Sequence, residues 1–347
     1  MQRAATLKTA THRLRFADDR EPGITRRKVE QGDRAYWAYF TADGERITDR
    51  AEIERLDAIA LPPAYETAWF CSDAHGHLLA TGVDARGRKQ YRYHPAFRLH
   101  RESAKFDNTA AFGRALPRVR TRVERDLAKR TLCRERAIAS VVRLLDTGGI
   151  RIGNEAYAMA NKSFGATTLR MRHARVERDA LRLQFTAKSG RQRVMRLTDK
   201  SLVRFVRRMQ DLPGQRLFQY LDAAGTACPV NSCDVNDYLR EVMNGDFTAK
   251  HFRTWHASVL AFSLLAEAET TVSLKALLAE VSDRLGNTPA IARKSYIHPA
   301  VLALIERQQE WRAALRLPRA VRGLSRHERG LIALLEQSPG AARLLAA

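Results

Sequence analysis

The chain has 347 residues, 45% of them hydrophobic and 28% charged, a makeup that suits one large domain or two and allows a buried core. Sixty Lys and Arg against 38 Asp and Glu leave a formal net charge of +22, a surplus that calls for a polyanion, of which nucleic acid is the commonest. Adhesion to acidic surfaces is the lesser alternative that the charge balance alone leaves open. Cys71, Cys133, Cys228 and Cys233 are too few for a disulfide framework, and no nearby histidine pair completes a zinc site with them. They read as reduced thiols of a cytoplasmic protein. The start lacks the apolar stretch of a signal peptide, and no run of eighteen apolar residues suggests a membrane span.

In chain order, residues 1–22 read as a patternless basic arm. Residues 23–101 read as a small β-rich domain. Ala35–Phe40 is an aromatic strand before the Ala42–Gly44 turn, and Thr67–Cys71 is a strand after Pro62 and Pro63. Turns at Ala74–His77 and Ala85–Arg88 divide further short strands. Residues 102–347 read as mainly helical. One helical stretch is predicted over Glu124–Leu145, with Ala137, Val141, Leu144 and Leu145 on its apolar stripe and Thr147–Gly149 as its break. Leu181, Leu183 and Phe185 then alternate with polar residues, and Ser189–Gly190 turns the chain back towards Val194–Leu197, a β-hairpin within the helical domain. Helices are predicted from Ser201 to the end, punctuated by Pro213, Pro229, Pro289, Pro299 and Pro318.

Several machineries are absent: no phosphate-cradling glycine loop ending in Gly-Lys-Ser/Thr, no dinucleotide fingerprint and no paired-histidine metalloprotease helix. With carboxylates scattered and outnumbered, covalent catalysis fits a nucleic-acid enzyme better than a metal held by acids. Four segments carry candidate groups. They are Gly149-Ile-Arg151-Ile-Gly-Asn154-Glu155, Phe185-Thr-Ala-Lys188-Ser-Gly190, Thr248-Ala-Lys250-His-Phe-Arg253-Thr-Trp255, and Gly286-Asn287-Thr-Pro289 followed by Arg293-Lys-Ser-Tyr296. Singly, each has a plain reading: a solvated cap, a solubilising lysine, a half-buried tyrosine.

Taken in order, the four segments resemble the type IB DNA topoisomerases, in the compact poxvirus-like and bacterial branch. Leu61-Pro-Pro-Ala64, Trp69 and Ala80–His94 look like that branch's β-rich DNA-clamping domain, and the resemblance runs from about residue 23 to about 310. It implies an α+β protein whose large domain is of the DNA breaking-rejoining, tyrosine recombinase-like type. Two lobes would close round duplex DNA as a monomeric clamp, in the cytoplasm on the nucleoid. It implies that Tyr296 attacks a phosphodiester to give a 3′-phosphotyrosyl bond, with Arg151 and Arg253 on the non-bridging oxygens and Lys188 as general acid. Neither ATP, metal nor small-molecule cofactor is implied. Asn287 departs from the histidine that many relatives carry before Thr-Pro. Its amide also donates a hydrogen bond, though without charge, and its plain reading is a turn residue after Gly286. Arg86, Gln90, Tyr91 and Tyr93 align with family residues that touch DNA, and Lys250 and His251 are expected near the phosphates.

Two rivals are a tyrosine site-specific recombinase and a DNA-binding protein without catalysis. Recombinases usually carry His-x-x-Arg at the third segment, where this chain has Lys250 three residues before Arg253, and their first domain is helical. A non-catalytic binder has no use for a complete set of nucleophile, arginines and acid.

Overall fold

Aromatic and β-branched runs between short turns assemble into one antiparallel sheet in the first part of the chain. The computed structural model describes residues 7–8, 13–31, 34–210, 212 and 214–346. It divides into a unit ending at Ser103 and a unit beginning at Ala104. In the first, β1 (Leu7–Lys8) pairs with β2 (Arg13–Leu14). The main sheet contains β3 (Ile24–Gln31), β4 (Arg34–Phe40), β5 (Glu66–Phe70), β6 (Leu78–Val83) and β7 (Lys89–Tyr93). Its order among the described residues is β4-β3-β5-β6-β7. A helix that the strand pattern did not predict, α1 (Arg50–Ala58), starts at an Asp49 cap and buries Leu56 in a core with Ile24, Tyr39, Leu61, Phe70 and Ala80.

The expected loose arm is corrected in part. Leu14 is fully buried, the Arg15 N–H donates to the His75 carbonyl at 2.9 Å, and the His77 N–H donates to the Arg15 carbonyl at 2.8 Å. One apolar side chain and two backbone bonds dock this part of the stretch. Residues 1–6 and 9–12 of the arm lie outside the described residues, as does Pro213.

The division between units falls inside α2 (Pro95–Asp107). The single helix predicted over 124–145 is two, α3 (Thr109–Leu127) and α4 (Arg134–Gly148), because the chain turns at 128–133 and Cys133 takes the cap position of the second. Val119, Val123 and Leu127 on one helix and Ala137, Val141, Leu144 and Leu145 on the other are buried in a common core. Gly149 ends α4 with φ +58°, a left-handed conformation that glycine adopts without strain. After α5 (Glu155–Asn161) comes a sheet of β8 (Ala174–Val176), β9 (Leu181–Thr186) and β10 (Gln192–Leu197). Its order is β10-β9-β8 among the described residues. Leu181, Leu183 and Phe185 point into the core beneath α6 (Lys200–Met209), as the alternation predicts.

The purely helical expectation beyond Ser201 fails at one place. β11 (Gln219–Leu221) and β12 (Ala227–Pro229) form a hairpin whose turn is closed by the Asp222 carboxylate, which accepts from the Ala224 and Thr226 N–H groups. Helices then continue as α7 (Ser232–Met243), α8 (Ala249–Glu267), α9 (Leu274–Leu285), α10 (Pro289–Ser295), α11 (Pro299–Leu302), α12 (Gln308–Ala314), α13 (Arg326–Gln337) and α14 (Ala341–Ala346). Among the described residues no helix is long and apolar enough to cross a membrane.

Helix α8 is the centre of the second unit, with Phe252, Trp255, Phe262 and Leu265 fully buried. A Cβ on Gly113 of α3 would stand 2.2 Å from the Trp255 ring, so only glycine admits the indole there. Behind the ring lies a buried charge network. Arg120 of α3 donates to both oxygens of Asp146 at 2.8 and 2.9 Å and to Glu328 of α13 at 2.8 and 3.0 Å. Trp255 Nε1 also donates to Glu328, at 3.1 Å. Helix α13 is thereby fastened to α3, to the end of α4 and to α8.

Burial alone would raise the Glu328 carboxyl, but the Arg120 hydrogen bonds and charge outweigh it and bring it down to about 2. A carboxyl depressed on folding contributes stability above its unfolded pKa, about 4.3, and loses it as pH falls towards the folded value. Glu328→Ala should therefore cost roughly 3 kcal/mol at neutral pH by removing one member of a buried ionic cluster. Urea unfolding at pH 7 and at pH 3 checks this: the gap between variant and parent should be large at the first and narrower at the second.

Candidate active site

Two helix ends converge on Arg253. It stands in the first turns of α8 and is 3% exposed. Its Nη1 donates to the Gly149 carbonyl at 2.5 Å, and its Nη2 donates to the Leu285 carbonyl at 3.0 Å and to Asn287 Oδ1 at 2.9 Å. The two carbonyls lie at the C-terminal ends of α4 and α9, where a helix leaves acceptors unpaired. Two residues beyond Gly149, Arg151 sends its Nη2 to the same Asn287 Oδ1 at 2.6 Å. One neutral amide oxygen thus holds two guanidinium groups side by side.

Among the described residues no carboxylate pairs with either arginine. Burial, and then the charge of Arg151, bring the Arg253 guanidinium down to about 10, which leaves it cationic at neutral pH. Its Nε and the Nδ2 of Asn287 are buried without a partner among the described residues. The Asn287 orientation follows from its neighbours, since the opposite flip would aim its NH2 at two cations. Asn287, expected as a donor, is engaged here through its acceptor oxygen. That oxygen is an acceptor for both arginines, and the buried Nδ2 does not line the cleft.

Tyr296 caps the C-terminal end of α10, with its ring centre 4.8 Å from Arg253 Cζ. Burial would push the phenol up, but Arg253, by charge and hydrogen bond, together with Arg151 and Lys250, brings it below its ordinary value. The backbone is held on both sides. The Tyr296 carbonyl accepts from Ser258 Oγ at 3.3 Å, and the Ser295 carbonyl accepts from Lys105 Nζ at 2.9 Å. Lys188 is exposed on the turn between β9 and β10. It lines a cleft of about 480 Å³ together with Arg151, Lys250, Arg253 and Tyr296. Asn287 sits behind this group, reaching it through the arginines.

His251 does not join them. Its Nδ1 accepts from the Thr248 N–H at 3.0 Å, closing the start of α8, and its ring stacks on Phe112. Burial holds it below its usual value, so it is a neutral cap.

In the first unit, Tyr91 and Tyr93 share a face of β7 and stack with ring centres 6.0 Å apart, with Lys89 Nζ 5.8 Å from the Tyr91 ring. Arg86 is exposed in the preceding turn, which Asp84 organises. Gln90 lies on the opposite face of the strand and donates to Asp84 at 2.9 Å. The structure thus groups the two tyrosines with Lys89 and leaves Gln90 engaged elsewhere. Lys89 was missed by the sequence reading, as were Arg191 and Arg193. These two arginines are spaced by two on one hairpin arm, a signal that period-two counting could have found.

A pair of guanidiniums, a phenol of lowered pKa and an ammonium around one cleft can bind a tetrahedral anion and attack it. Comparison with known proteins agrees. Residues 94–312 match the family described as eukaryotic DNA topoisomerase I, catalytic core, and residues 36–84 match bacterial DNA topoisomerase IB, N-terminal domain. The chain is 30% identical to DNA topoisomerase 1B of Acanthamoeba polyphaga mimivirus over 303 residues, 83% of this chain and 89% of that one. With DNA topoisomerase 1B of vaccinia virus (strain Copenhagen) identity is 19% over 291 residues, covering 78% and 90%. The site and both matches lead to one conclusion: the chain belongs to the type IB DNA topoisomerases.

Proposed function

We propose that this enzyme relaxes supercoiled duplex DNA through a transient 3′-phosphotyrosyl bond to Tyr296, with a second unit of the DNA breaking-rejoining, tyrosine recombinase-like fold. The observation that carries the reading is the buried Arg253, paired with Arg151 on a neutral oxygen and lacking any carboxylate among the described residues, beside the Tyr296 ring. A buried cation so arranged is completed by a bound phosphate.

In the cleavage step the phenol of Tyr296 gives its proton to solvent and its oxygen forms a bond to phosphorus. The bond from phosphorus to the 5′ oxygen breaks. The Lys188 ammonium gives a proton to that oxygen, leaving a 5′-hydroxyl end and a 3′-phosphotyrosine. Arg151 and Arg253 take the negative charge that builds on the non-bridging oxygens, each such donor being worth about 10²–10³ in rate, and Asn287 holds the two guanidiniums together from behind. General-acid help from Lys188 is worth roughly 10²–10⁴. Rejoining reverses the step, so the phosphodiester energy is stored in the tyrosyl bond and ATP is not needed. Lys250, Arg86, Tyr91 and Tyr93 serve duplex contacts, and Gln90 does so only after leaving Asp84.

Tyr296→Phe should abolish plasmid relaxation and covalent attachment to DNA while duplex binding persists; a covalent adduct with the variant would remove Tyr296 from its role. The parent enzyme should relax plasmid in EDTA without ATP, and loss of cleavage on chelation would favour a metal-dependent route.

Asn287 tests the arginine pair. Asn287→Ala should slow single-turnover cleavage by roughly 10–10²-fold, less than loss of either arginine, because Arg253 keeps its two carbonyl partners. Asn287→Asp should slow it at least as much, since a carboxylate there would neutralise the guanidiniums that the phosphate needs. Histidine should be tolerated. An aspartate variant as fast as the parent would mean that the pair needs only an acceptor.

A further inference from the structure

Lys188 reaches the cleft from an exposed hairpin tip, so something other than burial must set its position. The turn itself is closed. The Ala187 N–H donates to the Arg191 carbonyl at 2.7 Å, and Ser189 and Gly190 are both left-handed, at φ +66° and +74°. This fixes the Lys188 backbone relative to Arg191. The Arg191 side chain then leaves the hairpin, and its Nη1 donates to the backbone carbonyl of Asn287. Two residues on, Arg193 donates to the Asp283 carbonyl at 3.0 Å and to the Arg284 carbonyl. These acceptors are the last carbonyls of α9 and the turn after it, which a helix cannot satisfy internally. Asn287 thus receives the hairpin on its backbone oxygen and both cleft arginines on its side-chain oxygen.

We propose that Arg191, supported by Arg193, is a positioning residue for strand cleavage: it docks the hairpin onto the α9–α10 turn and so sets the Lys188 ammonium against the departing 5′ oxygen. The proposal rests on Lys188 as the proton donor. Arg191 transfers no proton and need not touch the substrate. Its partners are backbone carbonyls, so removing it loosens the acid and leaves the groups around the non-bridging oxygens in place. A misplacement of about 1 Å in such a group costs on the order of 10² in rate.

The test compares single-turnover cleavage of duplex with an ordinary 5′ oxygen and with sulfur in that bridging position, a leaving group that needs little protonation. Arg191→Ala should cleave the oxygen substrate about 10²-fold more slowly than the parent and recover most of that loss on sulfur, with duplex binding unchanged. Lys188→Ala should show the same rescue, and Arg151→Ala little. Arg191→Lys keeps one donor of shorter reach and should fall between Arg191→Ala and the parent on the oxygen substrate. Thermal unfolding of each variant separates loss of fold from loss of alignment, and if the alanine variant is unfolded the lysine variant decides. Rescue of Lys188→Ala without rescue of the Arg191 variants would overturn this proposal and leave the general acid intact. Equal losses on both substrates, no loss at all, or weakened duplex binding would overturn it too. Failure of sulfur to rescue Lys188→Ala would remove the general acid and this proposal with it.

Discussion

A buried guanidinium without a counter-ion among the described residues is the constraint round which the second unit is arranged. Removing a cation from water is costly, and a protein normally compensates with a carboxylate. Arg253 has instead the carbonyls that end α4 and α9 and one amide oxygen. Helix C-termini carry partial negative charge, so two of them aimed at one cation offset part of the cost without neutralising it. The residual positive potential is the useful quantity. A carboxylate in the same place would have made a more stable resting protein and a poorer receptor for phosphate.

Holding Arg151 against Arg253 adds repulsion to desolvation, and the surroundings must resist it. The fastening behind α8 does this. Trp255, two residues beyond Arg253, is bonded to Glu328, while Arg120 ties Glu328 to Asp146 just before the glycines that lead to Arg151. Here buried carboxylates and an arginine do compensate each other, so the cluster is a structural tie. The segment beyond the family match at residue 312, whose purpose the sequence left open, contributes Glu328 to this tie. One unit therefore contains two arginine clusters of opposite design, one neutralised for rigidity and one left cationic.

Much of this was legible in the sequence because it depends on local pattern. Alternating Leu181, Leu183 and Phe185 gave the inner face of β9, Gly149 ended its helix, and the prolines that open α10 and α11 marked their first turns. The break at 128–133 was hidden because apolar spacing stays nearly in phase across it, and the β11–β12 hairpin was too short to outweigh the helical pattern on either side. At the site, residue types on ordered motifs pointed to Arg151, Lys188, Arg253 and Tyr296, which the fold does bring to one cleft. What the sequence did not carry was direction. Whether Asn287 offers its oxygen or its nitrogen depends on two arginines far away along the chain. His251, beside a lysine in the cleft, turns to the core because its ring caps the helix on which both stand.

The placement of lysine outside and arginines inside follows from the shape and mobility of the two side chains. Arg253 stays cationic at neutral pH even where burial lowers it to about 10, and its planar fork, held by three oxygens, keeps that charge fixed beside the phosphate site. An ammonium on a flexible stem can follow the leaving oxygen, which needs its proton only while its bond to phosphorus breaks. On the proposed chemistry the permanent charges therefore belong on helix ends that do not move, and the transferable proton belongs on an exposed turn that solvent can recharge. Exposure makes that recharging easy and alignment hard. A hairpin anchored through its own arginines, on the turn that also carries Asn287, reconciles the two demands without burying the lysine.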